Sequence, residues 1–347
     1  MRVGVVGVGA LGRHHVRILS ELGRVELAGV HDLRPEVAAQ VAAEFSTRSL
    51  PTLDALAAEV DAMVVAVPTV SHGEVAGRLL DRGLHVLVEK PITPDLHSAD
   101  RLLERAGDRV LAVGHVEFYT PAVATLVALR PQPRFVEVQR LSAWTPRSLD
   151  IDVILDLMIH DLQILHALDP SPVREVRAAG VAVLSDRIDI ANARVELESG
   201  CVANLTASRV SAERVRKLRL FSRERYYSLD YQKQTLKGFR LEEGADAASG
   251  TDEAASQADG PAAPWRQERS LVEAGDGATT EAPGRRRIVA LDLSVAREEP
   301  LRRELETFVR ACRGDQVDYV DGSSARAALA TALAIARAAG RGGGERT

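Results

Sequence analysis

Lysine is nearly absent from this chain. Of 44 basic residues only Lys90, Lys217, Lys233 and Lys237 are lysines, and Lys90 is the sole one in the first 216 positions. A chain this committed to arginine that places a single ammonium in its first 216 positions has a use there for a compact charge whose pKa can fall on burial, unless the placement is chance. All nine histidines lie at or before His166, so imidazole chemistry belongs to the first half of the chain. Within Ile154–Leu168, Leu155, Met158, Ile159, Leu162 and Leu165 form an apolar stripe at helical spacing. Asp156 and His160, four apart, stack beside that stripe on one helical face, and Asp152 extends it. A carboxylate beside an imidazole raises its pKa and orients its ring, as a proton-transferring pair requires. The same spacing also serves surface ion pairs.

A second cluster points to a nucleotide. Gly7-Val8-Gly9-Ala10-Leu11-Gly12 follows a valine-rich run and opens a helical pattern, and Asp32 comes twenty residues after Gly12. Glycines there permit a tight turn and close approach of backbone to a pyrophosphate resting on a helix N-terminus. An acid at the end of the next strand accepts hydrogen bonds from ribose hydroxyls and repels a 2′-phosphate, which favours NAD over NADP. Arg34 is the residue that argues the other way.

The elements that must position these groups alternate. Strand-like runs at Arg2–Gly7, Val25–Asp32, Ala62–Pro68, His85–Glu89 and Arg109–Val116 are separated by helical stretches at Leu11–Leu22, Pro35–Phe45, Val75–Arg82 and Asp95–Ala106. Valine-rich strands alternating with helices predict a doubly wound parallel sheet. Ligands of such sheets gather outside the carboxyl ends of the strands, so Pro68, Thr69, His72, Glu89 and Lys90 join the glycine turn in one cofactor crevice. His72 also suits a helix cap.

After Pro121 the pattern becomes one helix followed by strands at Ile188–Glu198, Cys201–Arg209, Arg216–Ser222, Tyr226–Tyr231 and Arg285–Val295, then helices at Leu301–Arg313 and Ser323–Ala339. This predicts a second α/β domain with an open, largely antiparallel sheet. The expected division is 1–120 for nucleotide binding, 121–322 for substrate binding and oligomerisation, and 323–347 for a closing helix and frayed tail. Segment 242–284 carries ten acids and two arginines and has no apolar period, which predicts a flexible loop.

Composition excludes several classes. Apolar residues are 46% and charged residues 27%, ordinary for a globular protein. No apolar run approaches the roughly 20 residues that span a bilayer, and the N-terminus makes a poor signal peptide, so a cytoplasmic enzyme is expected. The net charge of −5 without a basic stripe argues against nucleic acid. Cys201 and Cys312 lack metal or disulfide spacing, and no metal site is expected.

Taken in order, GVGALG, AVPTVSH at 66–72, EKP at 89–91 and ILDLMIHD at 154–161 resemble the glucose-fructose oxidoreductase/inositol dehydrogenase/MocA (Gfo/Idh/MocA) family over nearly the whole chain. The resemblance implies an NAD-dependent dehydrogenase in which Lys90, Asp156 and His160 line the reacting hydroxyl of a sugar, and a homodimer or homotetramer formed through the open sheet. Segments 114–122, 152–161 and 186–211 look, more narrowly, like bacterial nucleotide-sugar 3-dehydrogenases. That implies the 3-hydroxyl of UDP-N-acetylglucosamine as substrate and a downstream aminotransferase on a route to amide-linked lipid A. For such an anionic substrate Glu117, Tyr119, Arg140, Trp144 and Arg209 are the expected contacts, with Asn192 and Arg194 as further candidates. Other readings are the same chemistry on a free polyol such as an inositol, an NAD-binding regulator without turnover, and a scaffold using the 242–284 loop.

Overall fold

The computed structural model describes residues 1–144, 151–243, 268–270 and 286–342. Its first half is a five-stranded parallel sheet of β1 (Arg2–Val6), β2 (Glu26–His31), β3 (Ala62–Val65), β4 (His85–Glu89) and β5 (Leu111–Gly114), ordered β2-β1-β3-β4-β5. The helices α1 (Ala10–Glu21), α2 (Pro35–Glu44), α3 (Leu53–Ala57), α4 (His72–Asp81) and α5 (Leu96–Ala106) connect the strands. β1 pairs in register with β3 from Val3↔Ala62 to Val6↔Val65. All four of those β3 residues are buried, as a strand covered on both faces must be. The order reverses at β1, so β1 and β3 open the crevice where the glycine turn sits.

The second half begins with α6 (Pro121–Ala128) and β6 (Phe135–Leu141), then a single π-turn (Ile154–Met158) running into α7 (Ile159–Leu168). The Asp152 carboxylate accepts from the amides of Ile154 and Leu155 and so caps this start, rather than extending a polar face. β7 (Val173–Val181), β8 (Ile190–Leu197), β9 (Val202–Ser208), β10 (Val215–Phe221), β11 (Arg225–Asp230), β12 (Thr235–Glu243), β13 (Glu268–Ser270) and β14 (Arg286–Leu291) complete a nine-stranded sheet. Its order is β13-β14-β12-β11-β10-β6-β9-β8-β7, and only the central pair β6 and β9 runs parallel. The sheet is therefore open and largely antiparallel, as expected.

Alternation sets its faces. In β8, Ala191, Ala193, Val195 and Leu197 turn inward, and in β6 Val136, Val138 and Arg140 do. The inner face is covered by α7 and by the closing helix α9 (Gly322–Gly342). The preceding helix, α8 (Pro300–Cys312), returns to the first half and packs Leu305 and Phe308 into the core shared by β1 and α1. Of the expected acidic loop, 244–267 and 271–285 lie outside the described residues, as does the tail from 343. No helix among the described residues is long and apolar enough to cross a membrane.

Candidate active site

The glycine turn has the shape a dinucleotide needs. Gly7 has φ +80, and a Cβ there would meet the Ala66 carbonyl oxygen at 2.7 Å; a Cβ on Gly12 would meet the Gly7 carbonyl oxygen at 1.9 Å. Both glycines are thus required for the turn and for α1 to close against it. At Gly9 the surroundings are open, the nearest atom being Nη2 of Arg34 at 3.9 Å, which leaves room for a pyrophosphate against the backbone. No side chain caps α1, so its N-terminal dipole, beginning at Ala10 and Leu11, is free to meet an anion. Asp32 braces the turn: its carboxylate accepts from the Val8 amide at 2.9 Å and from the Arg34 amide at 3.0 Å. Residues and cofactor therefore fit. Leu11, Leu33 and Val70, exposed at the ends of the adjacent strands β1, β2 and β3, add apolar surface that motif reading missed.

The strand-end residues divide. Pro68 and Thr69 lie on the surface of the 3-10 turn Thr69–Ser71. His72 does not face the crevice: it is buried, with Nδ1 at 2.9 Å from the Pro91 carbonyl and Nε2 at 2.9 Å from the Val67 carbonyl. Its burial lowers its pKa, and the ring ties the loop after β3 to the turn after β4. Glu89 likewise turns into the core, where Nε2 of His15 lies 2.7 Å from its Oε1. Both belong behind the cofactor crevice rather than on its surface.

Lys90, on the cis Lys90–Pro91 turn, reaches across to the second half. Its Nζ donates to the Asp156 carbonyl at 2.7 Å and to Asp156 Oδ1 at 3.0 Å, and both side chains remain partly exposed. This overturns the expected Asp156–His160 pair. The π-turn widens the helix between them, which displaces the i, i+4 stacking, and the ammonium takes the carboxylate instead. The expected rise in the His160 pKa is reversed as well. Burial, then the charge of Lys90, hold the imidazole well below its ordinary value. Its Nδ1 is buried without a partner, so Nε2 is the nitrogen a ligand can meet. His115, within segment 114–122 but not singled out by its type or spacing, packs edge-on against His160 at 5.5 Å between ring centroids. Burial, then Lys90, push its pKa down to about 3. Two neutral imidazoles thus stand beside one ammonium.

The residues expected to grip an anionic substrate are mostly internal. Arg140 is buried and fork-bonded to Asp161, Nε to Oδ2 at 2.7 Å and Nη2 to Oδ1 at 2.8 Å, while Nη1 donates to Glu117 at 2.8 Å. The Tyr231 ring lies 5.0 Å from its guanidinium carbon. The inward parity of Arg140 with Val136 and Val138 was the signal for this burial. Glu117 also accepts from Arg216 at 3.0 Å; burial pushes its pKa up, but the two guanidiniums outweigh it and hold the group below the ordinary value. Arg209 is buried on Asp189 at 2.7 Å and the Ile151 carbonyl at 2.9 Å. Tyr119 is buried too, its hydroxyl accepting from the Val320 amide. Asn192 bonds Thr206, and Arg194 pairs with Glu196, both on the outer face of the sheet. Trp144 is half-buried just before 145–150, which lie outside the described residues. Arg216, directly opposite Arg140 and partly exposed, is the cation that sequence reading missed.

A dinucleotide turn and a lysine–carboxylate–imidazole group, meeting at the carboxyl ends of a doubly wound sheet, define a nicotinamide-dependent oxidoreductase. Residues 1–115 match the family described as "Oxidoreductase family, NAD-binding Rossmann fold", Gfo/Idh/MocA. The chain is 39% identical over 338 residues, 96% of each chain, to UDP-N-acetylglucosamine 3-dehydrogenase of Acidithiobacillus ferrooxidans. A solved structure of that enzyme superposes with a TM-score of 0.82 at 36% identity, covering 99% of this chain and 98% of the other. Inositol 2-dehydrogenase of Acidothermus cellulolyticus is 30% identical over 51% of this chain and 56% of its own. The WlbA dehydrogenase of Bordetella pertussis, solved with NADH and UDP-GlcNAcA, shares the fold at TM-score 0.71 and 18% identity. This chain belongs to the Gfo/Idh/MocA family and is an NAD-binding dehydrogenase.

Proposed function

We propose that this protein oxidises the 3-hydroxyl of UDP-N-acetylglucosamine with NAD. The observation that carries the reading is the near-full-length similarity to an enzyme of that name, across the substrate half as well as the cofactor half. Gly7, Gly9, Ala10, Leu11, Gly12, Asp32, Pro68 and Thr69 would hold NAD, which would supply the acceptor for the hydride leaving the sugar carbon. The Lys90 ammonium hydrogen-bonds the reacting oxygen and stabilises the negative charge that develops there, with Asp156 holding Nζ in place. His160 Nε2 receives the hydroxyl proton. Its depressed pKa keeps the ring unprotonated and able to accept, while reducing the driving force for the transfer, which the Lys90 charge on the reacting oxygen offsets. The buried Arg140–Asp161–Glu117 group fixes Arg216 beside the site, where a guanidinium suits a diphosphate.

The test is nicotinamide absorbance during incubation with NAD and UDP-N-acetylglucosamine, with an aminotransferase and amino donor present to draw off the ketone. Turnover that depends on the UDP group supports the reading. Turnover on free inositol instead would favour the polyol alternative, which the partial likeness to inositol dehydrogenases supports. On the same reading the enzyme is cytoplasmic, an oligomer through the open sheet, and supplies an aminotransferase on the way to amide-linked lipid A.

A further inference from the structure

Next to Lys90 in the chain, three titratable side chains meet inside the first half. His15 comes from α1, Glu89 from the end of β4 and Glu304 from α8, and one ligand atom of each lies within 4.8 Å of the others. His15 Nε2 is 2.7 Å from Glu89 Oε1, and the Lys90 amide donates to Glu89 Oε2 at 3.3 Å. Glu89 cannot retreat, because it packs on β5 where a Cβ at Gly114 would lie 2.9 Å from Oε2. Glu304 differs from its neighbours. It is wholly buried, and neither carboxyl oxygen has a hydrogen-bond partner among the described residues. Tyr119, whose hydroxyl accepts from the Val320 amide, also feels the charge of Glu304.

Two carboxyl groups this close in an apolar interior do not both ionise. Glu89 accepts from the Lys90 amide and has the His15 ring at hydrogen-bond distance, whereas Glu304 has no such contact among the described residues, so Glu304 is the group that keeps the proton. We propose that Glu304 is a neutral, proton-bearing positioning residue whose O–H serves Glu89, directly after a side-chain rotation or through one water, and so holds the turn that carries Lys90 into the crevice. Burial, then the charge of Glu89, push the Glu304 acid well above the ordinary carboxyl range, in agreement with this. The catalytic consequence rests on the role proposed above for Lys90; the protonation state does not.

Wild type, Glu304→Gln and Glu304→Ala are compared. Infrared spectra at pH 8 should show a protonated carboxylic-acid band in the wild type that shifts in D2O and is lost in Glu304→Gln. The folded wild type keeps a proton that the unfolded chain releases above the ordinary glutamate pKa, so the stability of the wild type relative to Glu304→Gln falls as pH rises. Urea unfolding from pH 5 to 8 should therefore favour Glu304→Gln by about tenfold in folding constant per pH unit. Glutamine keeps a donor, so kcat should stay within about threefold, whereas alanine should lower it about 10- to 100-fold with less effect on NAD affinity. Absence of the acid band, equal loss of kcat in both variants, or one divalent metal per chain that Glu304→Gln abolishes would each overturn the proposal. If the wild type is silent toward the sugar, the spectrum and the unfolding series still decide the protonation state.

Discussion

Lys90 and His160 divide the work of removing a proton while a hydride departs, and their environments explain the division. The ammonium is tethered to Asp156 at a partly exposed position, where it can donate to an incoming oxygen. The imidazole is buried and kept neutral, chiefly by desolvation. Lys90→Met and His160→Ala should each lower kcat by at least about 100-fold. NAD binding, followed by fluorescence titration, should be largely preserved in both; its loss in both would mark these residues as structural. The lowered pKa of His160 also sets a direction in pH. Its base form persists as pH falls through 6.5, so the acid limb of kcat/KM should lie below the range of an ordinary histidine. Stability runs the other way. Unfolding lets His115 and His160 take protons that the folded state refuses, so stability is lost as pH falls below about 6.5, at about 1.4 kcal/mol per pH unit for each fully coupled group. Urea unfolding between pH 7 and 5 checks this, and His115→Asn should flatten the slope.

At the scale of elements, β6 and α7 are joined by charge. The Arg140 fork on Asp161 crosses from sheet to helix, and Glu117 from the turn after β5 closes the group. A buried pair adds little over an apolar isostere, but removing one member strands the other in a low-dielectric interior. Arg140→Ala should therefore cost about 3–5 kcal/mol in denaturant unfolding. A double replacement, Arg140→Met with Asp161→Leu, should recover part of that loss. The π-turn ahead of α7 acts at the same scale: next to this one wide turn, the Asp156 carboxylate meets a lysine on the turn after β4 rather than the helix's own His160.

At the scale of the molecule, the outward positions of the large sheet, such as Asn192 and Arg194 of β8, are exposed among the described residues. Across it Phe135, Phe221, Tyr226 and Phe239 form a continuous ladder, with successive ring centroids 6.0, 4.8 and 5.9 Å apart, and Phe221 is exposed. An aromatic strip of this kind suits a second copy of the chain. Sedimentation equilibrium should find an oligomer, and Phe221→Glu should shift it toward monomer by placing a charge where the strip would be dehydrated; a monomeric wild type would count against the sheet as an interface. Across the halves, α8 joins the first core although it follows the second sheet in sequence, so Glu304 reaches Glu89 from 215 positions away.

What could be read directly from the chain was whatever depends on neighbours in sequence. Alternating valine strands and helices, the glycine turn ahead of α1 and the acid after β2 are local patterns whose geometry follows from backbone sterics, and they specify a nucleotide-binding sheet without further help. Lys90 stood out by type alone. Partners were another matter. Asp156 and His160 are four apart, yet the carboxylate belongs to Lys90, because the competition between an imidazole and an ammonium is settled by which charge the folded chain brings within 3.0 Å. Arg140, Arg209, His72 and Glu89 have the chemistry of ligand-binding residues, but burial turns them into struts. Burial is a property of packing between distant elements, and only the tertiary structure decides it.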